Sequence, residues 1–272
     1  MSAADREVAL QDDIFPVTLG VCLDAEAIWL AIDPASVDRP AHLSHGSFEV
    51  EEGLAPFLAL LDRHQVRATF FVPGSTAERY PDAVRNIRDA GHELGAHNST
   101  HRTPLKLSPP EEREELVRGL DALERITGLR PITWRSPSWE WTPATRDILL
   151  SEGIAISTNF HDRLGPYRHH DDGAPLPLVE LPVQWHLSDA IYFMHGGRME
   201  RVVRTAAEVH DLWMEEFEGL YDWPDAFFHL TLHVGLMAQP GRLRMLDRLL
   251  STLKGRQRVR FMPACEIARR VP

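Results

Sequence analysis

The sequence has few cysteines, no long apolar run and less positive than negative charge. Two cysteines in 272 residues are too few for a disulfide framework. No stretch approaches the roughly eighteen apolar residues of a membrane-spanning helix. With 29 Lys and Arg against 40 Asp and Glu, the net charge is −11, which disfavours nucleic acid as a partner. Residues 1–13 are polar and acidic, unlike a signal peptide, so we expect a cytoplasmic protein.

The order of apolar segments predicts one α/β domain. Hydrophobic residues make up 43% of the chain and charged residues 25%, as in an ordinary globular protein. Strand-like and helical segments alternate without an internal repeat or linker, which indicates a parallel sheet or barrel over 17–272 after a polar arm, 1–16. The predicted strands are 17–23, 68–72, 93–96, 132–134, 154–156, 178–183, 227–233 and 259–262. The predicted helices are 54–64, 76–90, 109–127, 143–153, 201–217 and 242–253, with loops at 31–47 and 161–177.

Four chemically reactive residues end or follow predicted strands. They are Asp24, His97, Arg135 and His233. In parallel α/β folds the carboxyl ends of the strands meet at one edge, where active sites form. The sequence therefore predicts one functional site that contains these four residues.

The chain has 14 histidines, and histidine is a common metal ligand and proton carrier. His97 and His101 are four residues apart, a spacing that brings two imidazoles to one side of a helix or tight loop, and Asp24 adds an oxygen ligand. Two histidines and one carboxylate leave positions open for water, as a hydrolytic metal site requires. The alternative, two polar surface histidines, stays open because this motif is common by chance.

Two segments with tryptophan are candidates for a pocket lining. Arg135 lies between Trp134 and Trp139, where it either orients a carboxylate or packs as a surface residue on tryptophan. Trp185 and Asp189 either line a pocket or belong to a half-buried strand end. We therefore take Trp139, Trp185 and Asp189 as candidate substrate-binding residues.

Two charged segments are interpreted as solvent-facing. The helix over 109–125 carries acidic and basic residues that are typical of a solvated face. The run 169–172 has metal-ligand residue types but lies in a polar, proline-flanked segment, so we interpret it as a solvated loop.

Taken together, these residues resemble the polysaccharide deacetylase superfamily, also called the NodB-homology carbohydrate esterases. The nearest likeness is to its cytosolic branch of peptidoglycan-deacetylase-like, cyclic-imide-hydrolase-like and allantoinase-like proteins. The resemblance runs from about Val17 to Met262. It is carried by 23–30, 68–72, 91–97 with His101, 134–137, 232–233 and 241–243.

This resemblance implies a fold, a reaction and residue roles. The fold would be an irregular (β/α) barrel, and the reaction would be hydrolysis of a non-peptide C–N amide bond by a metal-bound water. Asp24, His97 and His101 would hold a divalent metal, usually zinc. His233 would be the general acid that protonates the leaving nitrogen, and Arg135 would orient the catalytic aspartate.

One position departs from the family pattern. The family has two aspartates close together, a general base followed by a metal ligand, and Cys22 stands in place of the first. Residues two apart on a strand share a face, so its thiol would lie where the base carboxylate belongs. Cys22 is then a weaker base, an extra metal ligand, a nucleophile or a sign of lost activity. Glu26, placed on the same face by this spacing, is an alternative base.

The resulting hypotheses belong to different classes. The first is a metal-dependent hydrolase of a small cytosolic amide: an N-acyl amino sugar, a cyclic imide or a ureide. The second is a catalytically degenerate binding module, and metal-free catalysis as in the allantoinase branch stays open. We also expect a homo-oligomer, a dimer or tetramer, with Trp29, Trp213 and Trp223 as candidate interface residues.

Overall fold

A computed structural model describes residues 14–194 and 203–272. In these ranges nine strands form one sheet: β1 Phe15–Cys22, β2 Thr69–Val72, β3 Glu93–Ala96, β4 Thr133–Trp134, β5 Ile156–Ser157, β6 Tyr167–Asp171, β7 Ala174–Glu180, β8 Phe228–His233 and β9 Val259–Phe261. Their order is β6-β7-β5-β4-β3-β2-β1-β8, and β9 pairs with the beginning of β1. Every pairing is parallel except the hairpin β6–β7.

The sheet curls into an irregular barrel. After β7 the chain returns toward β8, where Ser188 forms a parallel bridge with Thr231. The backbone N–H of Asp189 donates to the Thr231 carbonyl oxygen at 3.1 Å. These contacts bring the segment after β7 against β8 at the far end of the sheet, and the predicted irregular (β/α) barrel is confirmed.

The helices cover the outside of the barrel. They are α1 Glu26–Ile32, α2 Pro40–Phe48, α3 Leu54–Arg63, α4 Gly74–Arg79, α5 Pro81–Asp89, α6 Pro109–Thr127, α7 Thr145–Ser151, α8 Ala190–Phe193, α9 Ala206–Tyr221, α10 Val234–Met237, α11 Pro240–Lys254 and α12 Ala264–Ala268. The longest, α6, begins at a Ser108–Glu111 capping box and ends at Gly128 with φ 75°, as its sequence predicts. Among the described residues, no helix is long and apolar enough to cross a bilayer.

Side chains of β1 point alternately into the hydrophobic core and into the barrel interior. Val17, Leu19 and Val21 are fully buried in the core between sheet and helices, where each apolar side chain contributes about 1.5–3 kcal/mol. Gly20 faces the interior, and a Cβ there would lie 2.4 Å from Arg135 Nη2. A glycine is therefore needed for the Arg135 side chain to lie across β1.

Proline accounts for two errors in the predicted secondary structure, one in a loop and one in a helix. The predicted loop 31–47 contains the end of α1, a 3-10 turn Pro34–Asp38 and most of α2. Pro34 and Pro40 occupy first turns, which proline favours, rather than loops. The single helix predicted over 76–90 is two, α4 and α5, because Pro81 lacks an N–H and Tyr80 leaves the helical conformation.

The predicted loop 161–177 holds the hairpin of β6 and β7. Its turn uses Asp172 and Gly173, which have φ of 46° and 82°, the conformation that a two-residue hairpin turn prefers. The run 169–172 thus forms the end of β6 and part of the hairpin turn rather than a loop. His170, Asp171 and Asp172 are exposed, whereas His169 Nε2 lies 3.1 Å from buried Glu180. Residues 1–13 of the predicted arm and 201–202 of the predicted helix 201–217 lie outside the described residues. β1 already begins at Phe15, and α9 begins only at Ala206.

Candidate active site

The four strand-end residues converge at the carboxyl edge of the barrel. Asp24 follows β1, and three histidines surround its carboxylate. His97 Nε2 and His101 Nε2 lie 3.7 and 3.8 Å from Asp24 Oδ1, and His233 Nε2 lies 3.9 Å from Oδ2. The side chains of Asp24 and the three histidines are largely buried, so the alternative of two polar surface histidines at 97 and 101 is excluded.

Asp24 is a buried carboxylate that lacks hydrogen-bond partners. It is 2% exposed, and within the described ranges neither side-chain oxygen accepts a hydrogen bond. Burial, and then proximity to His101, lowers the pKa of His97 to about 3, and burial lowers the pKa of His101. Both imidazoles are therefore neutral at pH 7, the form that binds metal. A buried carboxylate beside two neutral imidazoles fits a divalent cation, with a donor set typical of zinc.

Cys22 lies beside this donor set. Its Sγ belongs to a group with Asp24 and His97 whose ligand atoms all lie within 4.8 Å of one another. Cys22 ends β1 with a buried side chain. The structure thus confirms that its thiol shares the site with Asp24, as their spacing predicts.

A buried acidic residue supports the histidine ligands from outside the cluster. Glu115 of α6 accepts hydrogen bonds from the backbone N–H of Ser99 and Thr100, at 3.2 and 2.8 Å, and from the Thr100 hydroxyl at 2.8 Å. These bonds fix the turn between His97 and His101. Glu115 is absent from the predicted site residues because the charge pattern of its helix is typical of a solvated face.

Glu49 is a second buried acidic residue that supports the site, on the side of Asp24. Its two oxygens accept the backbone N–H groups of Asp24 and Ala25, at 3.0 and 3.1 Å. Burial, and then the negative charge of Asp24, raises the pKa of Glu49 to about 8. Glu49 is also absent from the predicted site residues. It begins a π-helical turn, Glu49–Gly53, in an acidic run that gives no local signal of burial.

Arg135 is 1% exposed and is therefore not a surface arginine on tryptophan. Its guanidinium lies 4.2 Å from the centre of the Phe71 ring. Nε donates to the Thr158 hydroxyl at 2.9 Å, Nη2 donates to His229 Nε2 at 3.0 Å, and Nη1 is 3.9 Å from Cys22 Sγ. Arg135 thus contacts the residue that stands in place of the family's first aspartate.

Asp189 orients His233. His233 Nδ1 donates to Asp189 Oδ1 at 2.6 Å, and its backbone N–H donates to Oδ2 at 2.7 Å. Burial alone would lower the pKa of His233, but the charge of Asp189, with a contribution from Cys22, raises that pKa well above its ordinary value. Asp189 is fully buried, and both its oxygens face His233. Its predicted contact with substrate is therefore wrong.

Glu26 is not brought to the cluster. β1 ends at Cys22, so Glu26 belongs to α1 and does not continue the face of the strand. Its Oε1 accepts the Tyr80 hydroxyl at 2.6 Å and lies 3.4 Å from Arg79 Nε. The prediction of Glu26 as an alternative base rested on strand geometry and is wrong.

A cavity of about 710 Å³ opens onto the cluster. Trp139 and Trp185 line it, as predicted, with ring centroids 4.5 Å apart. Of the three tryptophans predicted at an interface, Trp29 and Trp213 are buried within the chain, and Trp223 is 61% exposed.

Fold and site together define an α/β-barrel hydrolase. The sequence profile of the family described as polysaccharide deacetylase matches residues 24–156. A peptidoglycan deacetylase of Helicobacter pylori is 28% identical over 93% of this chain and 94% of its own length. The crystal structure of a Mycobacterium smegmatis protein assigned as a polysaccharide deacetylase superposes with a TM-score of 0.91 at 32% identity, over 96% of this chain and 91% of that one.

The chain belongs to the polysaccharide deacetylase family, hydrolases of carbon–nitrogen bonds other than peptide bonds. The PuuE allantoinase shares the fold, with a TM-score of 0.83 at 19% identity over 96% of this chain and 91% of that one. The predicted superfamily is therefore confirmed.

Proposed function

We propose that this protein is a metal-dependent hydrolase of a small cytosolic amide: an N-acyl amino sugar, a cyclic imide or a ureide. The supporting observation is the Asp24 carboxylate, buried without a hydrogen-bond partner among the described residues and faced by three histidines. The name of the Helicobacter relative keeps an N-acyl amino sugar among the candidates.

In this proposal Asp24, His97 and His101 hold the metal, with zinc favoured by the donor set. When bound, such an ion polarises the substrate carbonyl and lowers the pKa of a water molecule. The hydrogen bond from His97 Nδ1 to the Arg135 carbonyl oxygen, at 2.8 Å, leaves Nε2 free to face the ion.

Two side chains of this protein, His233 and Cys22, carry the proton transfers of the proposed reaction. Asp189 keeps His233 protonated and directs Nε2 toward the site, where it donates a proton to the leaving nitrogen. Cys22 lies on the same side as Arg135 and Asp24, where it accepts a proton from the attacking water. Arg135 positions the thiol.

Cellular location and assembly complete the proposal. We propose a cytoplasmic protein, on its composition and its small cysteine count. We also propose a dimer or tetramer, for which Trp223 is the exposed member of the predicted interface residues. Light scattering at micromolar concentration that gives a monomer mass would contradict the assembly.

Metal loading followed by a substrate screen tests the proposed function. The purified chain should bind one divalent ion and hydrolyse at least one member of a panel of N-acyl amino sugars, cyclic imides and ureides. Asp24→Asn should lose the ion, whereas the exposed control Asp38→Asn should retain it. A chain that binds no ion after loading yet hydrolyses an amide would instead support metal-free catalysis.

A binding module is the second candidate, and the observation that favours it is a thiol at the base position. Such a protein would bind an amide without hydrolysing it. Cys22→Asp restores the family's aspartate pair. Hydrolysis by this variant but not by the wild type would establish the degenerate binder and exclude the first proposal.

A further inference from the structure

The charge of the cavity differs from that of the whole chain. The protein has a net charge of −11, yet among the described residues that line the cavity none is Asp or Glu. Three are arginine or lysine: Arg102, Lys106 and Arg135. A cleft lined by charge of one sign concentrates ligands of the opposite sign. The lining therefore favours an anionic ligand.

Two of these cations are available to a ligand. Arg102 directly follows His101, and Lys106 ends the 3-10 turn Pro104–Lys106. Both side chains are exposed, and within the described ranges neither lies within 4.0 Å of a carboxylate. Between them, Thr103 has a buried hydroxyl oxygen without a hydrogen-bond partner among the described residues. Two cations and a hydroxyl donor are complementary to a carboxylate.

Part of the cavity wall is apolar. Ile28, Ala31 and Ile32 of α1 line the cavity together with the two tryptophans. Ile32 is 43% exposed and Trp185 48% exposed. A sugar hydroxyl placed against these α1 side chains would lose its water without gaining a partner, which is unfavourable. This wall therefore suits an apolar group.

We infer that the substrate is an amide that carries both an anionic group and an apolar group. Arg102, Thr103 and Lys106 bind the anion, and the α1 wall binds the apolar part. The inference rests on the proposed function, because it places the scissile amide at the cluster where the cavity ends. It narrows the substrate class beyond a neutral N-acyl sugar.

Matched ligands that differ only in charge test this inference by calorimetry. We would compare N-acetyl-phenylalanine with N-acetyl-phenylalaninamide, and N-acetyl-leucine with its amide, as anionic and neutral pairs. The anion should bind about tenfold more tightly, the combined effect of two partly exposed ion pairs. Arg102→Gln with Lys106→Gln should abolish that preference and leave the neutral amides unaffected. The control Arg248→Gln removes an exposed cation of α11 and should change neither.

Three results overturn the inference: equal affinity for both members of each pair, no binding by any of them, or a preference that survives in the double variant. The last would mean that the carboxylate binds elsewhere, for example at a metal. Hydrolysis is measured separately. A charge preference without turnover of any amide would count against the proposed function and leave this inference standing. Turnover without a charge preference would support the proposed function and overturn this inference.

Discussion

Asp189→Asn should impair catalysis while leaving the cavity intact. The substitution keeps the shape of a fully buried side chain and an oxygen for the His233 backbone N–H, 2.7 Å away. It removes the negative charge 2.6 Å from His233 Nδ1. An amide N–H facing this nitrogen needs a lone pair on it, which further disfavours the protonated imidazolium. Loss of a positioned general acid costs about 10²–10⁴-fold, so kcat should fall by that factor.

Binding should change little, because Asp189 does not line the cavity and contacts His233 rather than the proposed metal ligands. KM and metal content should therefore stay near the wild-type values. The pH profile supplies a second readout. His233 acts in its protonated form, and Asp189 raises its pKa well above the ordinary value. In the variant, activity should decline at a lower pH on the alkaline side.

A double-mutant cycle tests whether Asp189 acts through His233. His233→Gln removes the proton donor, and Asp189→Asn added to it should reduce kcat no further. Steady-state kinetics of the two single variants and the double variant, on one amide substrate, supply the comparison. Additive losses, or full kcat in Asp189→Asn alone, would refute the positioning role.

Three further predictions concern the thiol, the turn between the histidines and the pH dependence of stability. Cys22→Ala should lower kcat about 10²–10⁴-fold if the thiol is the base; full activity in this variant, with metal content checked, would place the base elsewhere. Glu115→Ala should lower the free energy of unfolding in urea by about 2–4 kcal/mol, because the buried backbone N–H groups lose their acceptor, and it should weaken metal binding. Exposed Glu114→Ala is the matched control. Equal effects of the two substitutions would contradict the role of Glu115. Burial, and then the charge of Arg67, lowers the pKa of His92 to about 4. Between pH 6.5 and pH 4 the unfolded chain therefore binds a proton that the folded chain does not. The free energy of unfolding falls as the pH is lowered through this range. His92→Gln should reduce the loss between pH 7 and pH 5 by about 1–2 kcal/mol; an unchanged loss would contradict this.

The sequence alone determined which residues meet at the site. Asp24, His97, Arg135 and His233 end or follow parallel strands, and the carboxyl ends of such strands share one edge. The buried strands were predicted for a related reason, since β1 to β3 are short apolar runs between clear boundaries. The errors lie in the predicted loops 31–47 and 161–177, because proline also begins helical turns and Asp-Gly also closes hairpins.

Only the tertiary structure decided which acidic residues support the site. Glu49, Glu115 and Asp189 lie 25, 15 and 44 residues from the groups they hold. In the sequence Glu49 and Glu115 resemble the solvated acids around them, because no local periodicity indicates which acid turns inward. Asp189 is predicted to bind substrate, and only the structure shows that it holds His233. The charge of the cavity also depends on the tertiary structure. Its lining combines residues from α1, from the turn after β3 and from the segments after β4 and β7, and the excess of acidic residues lies elsewhere.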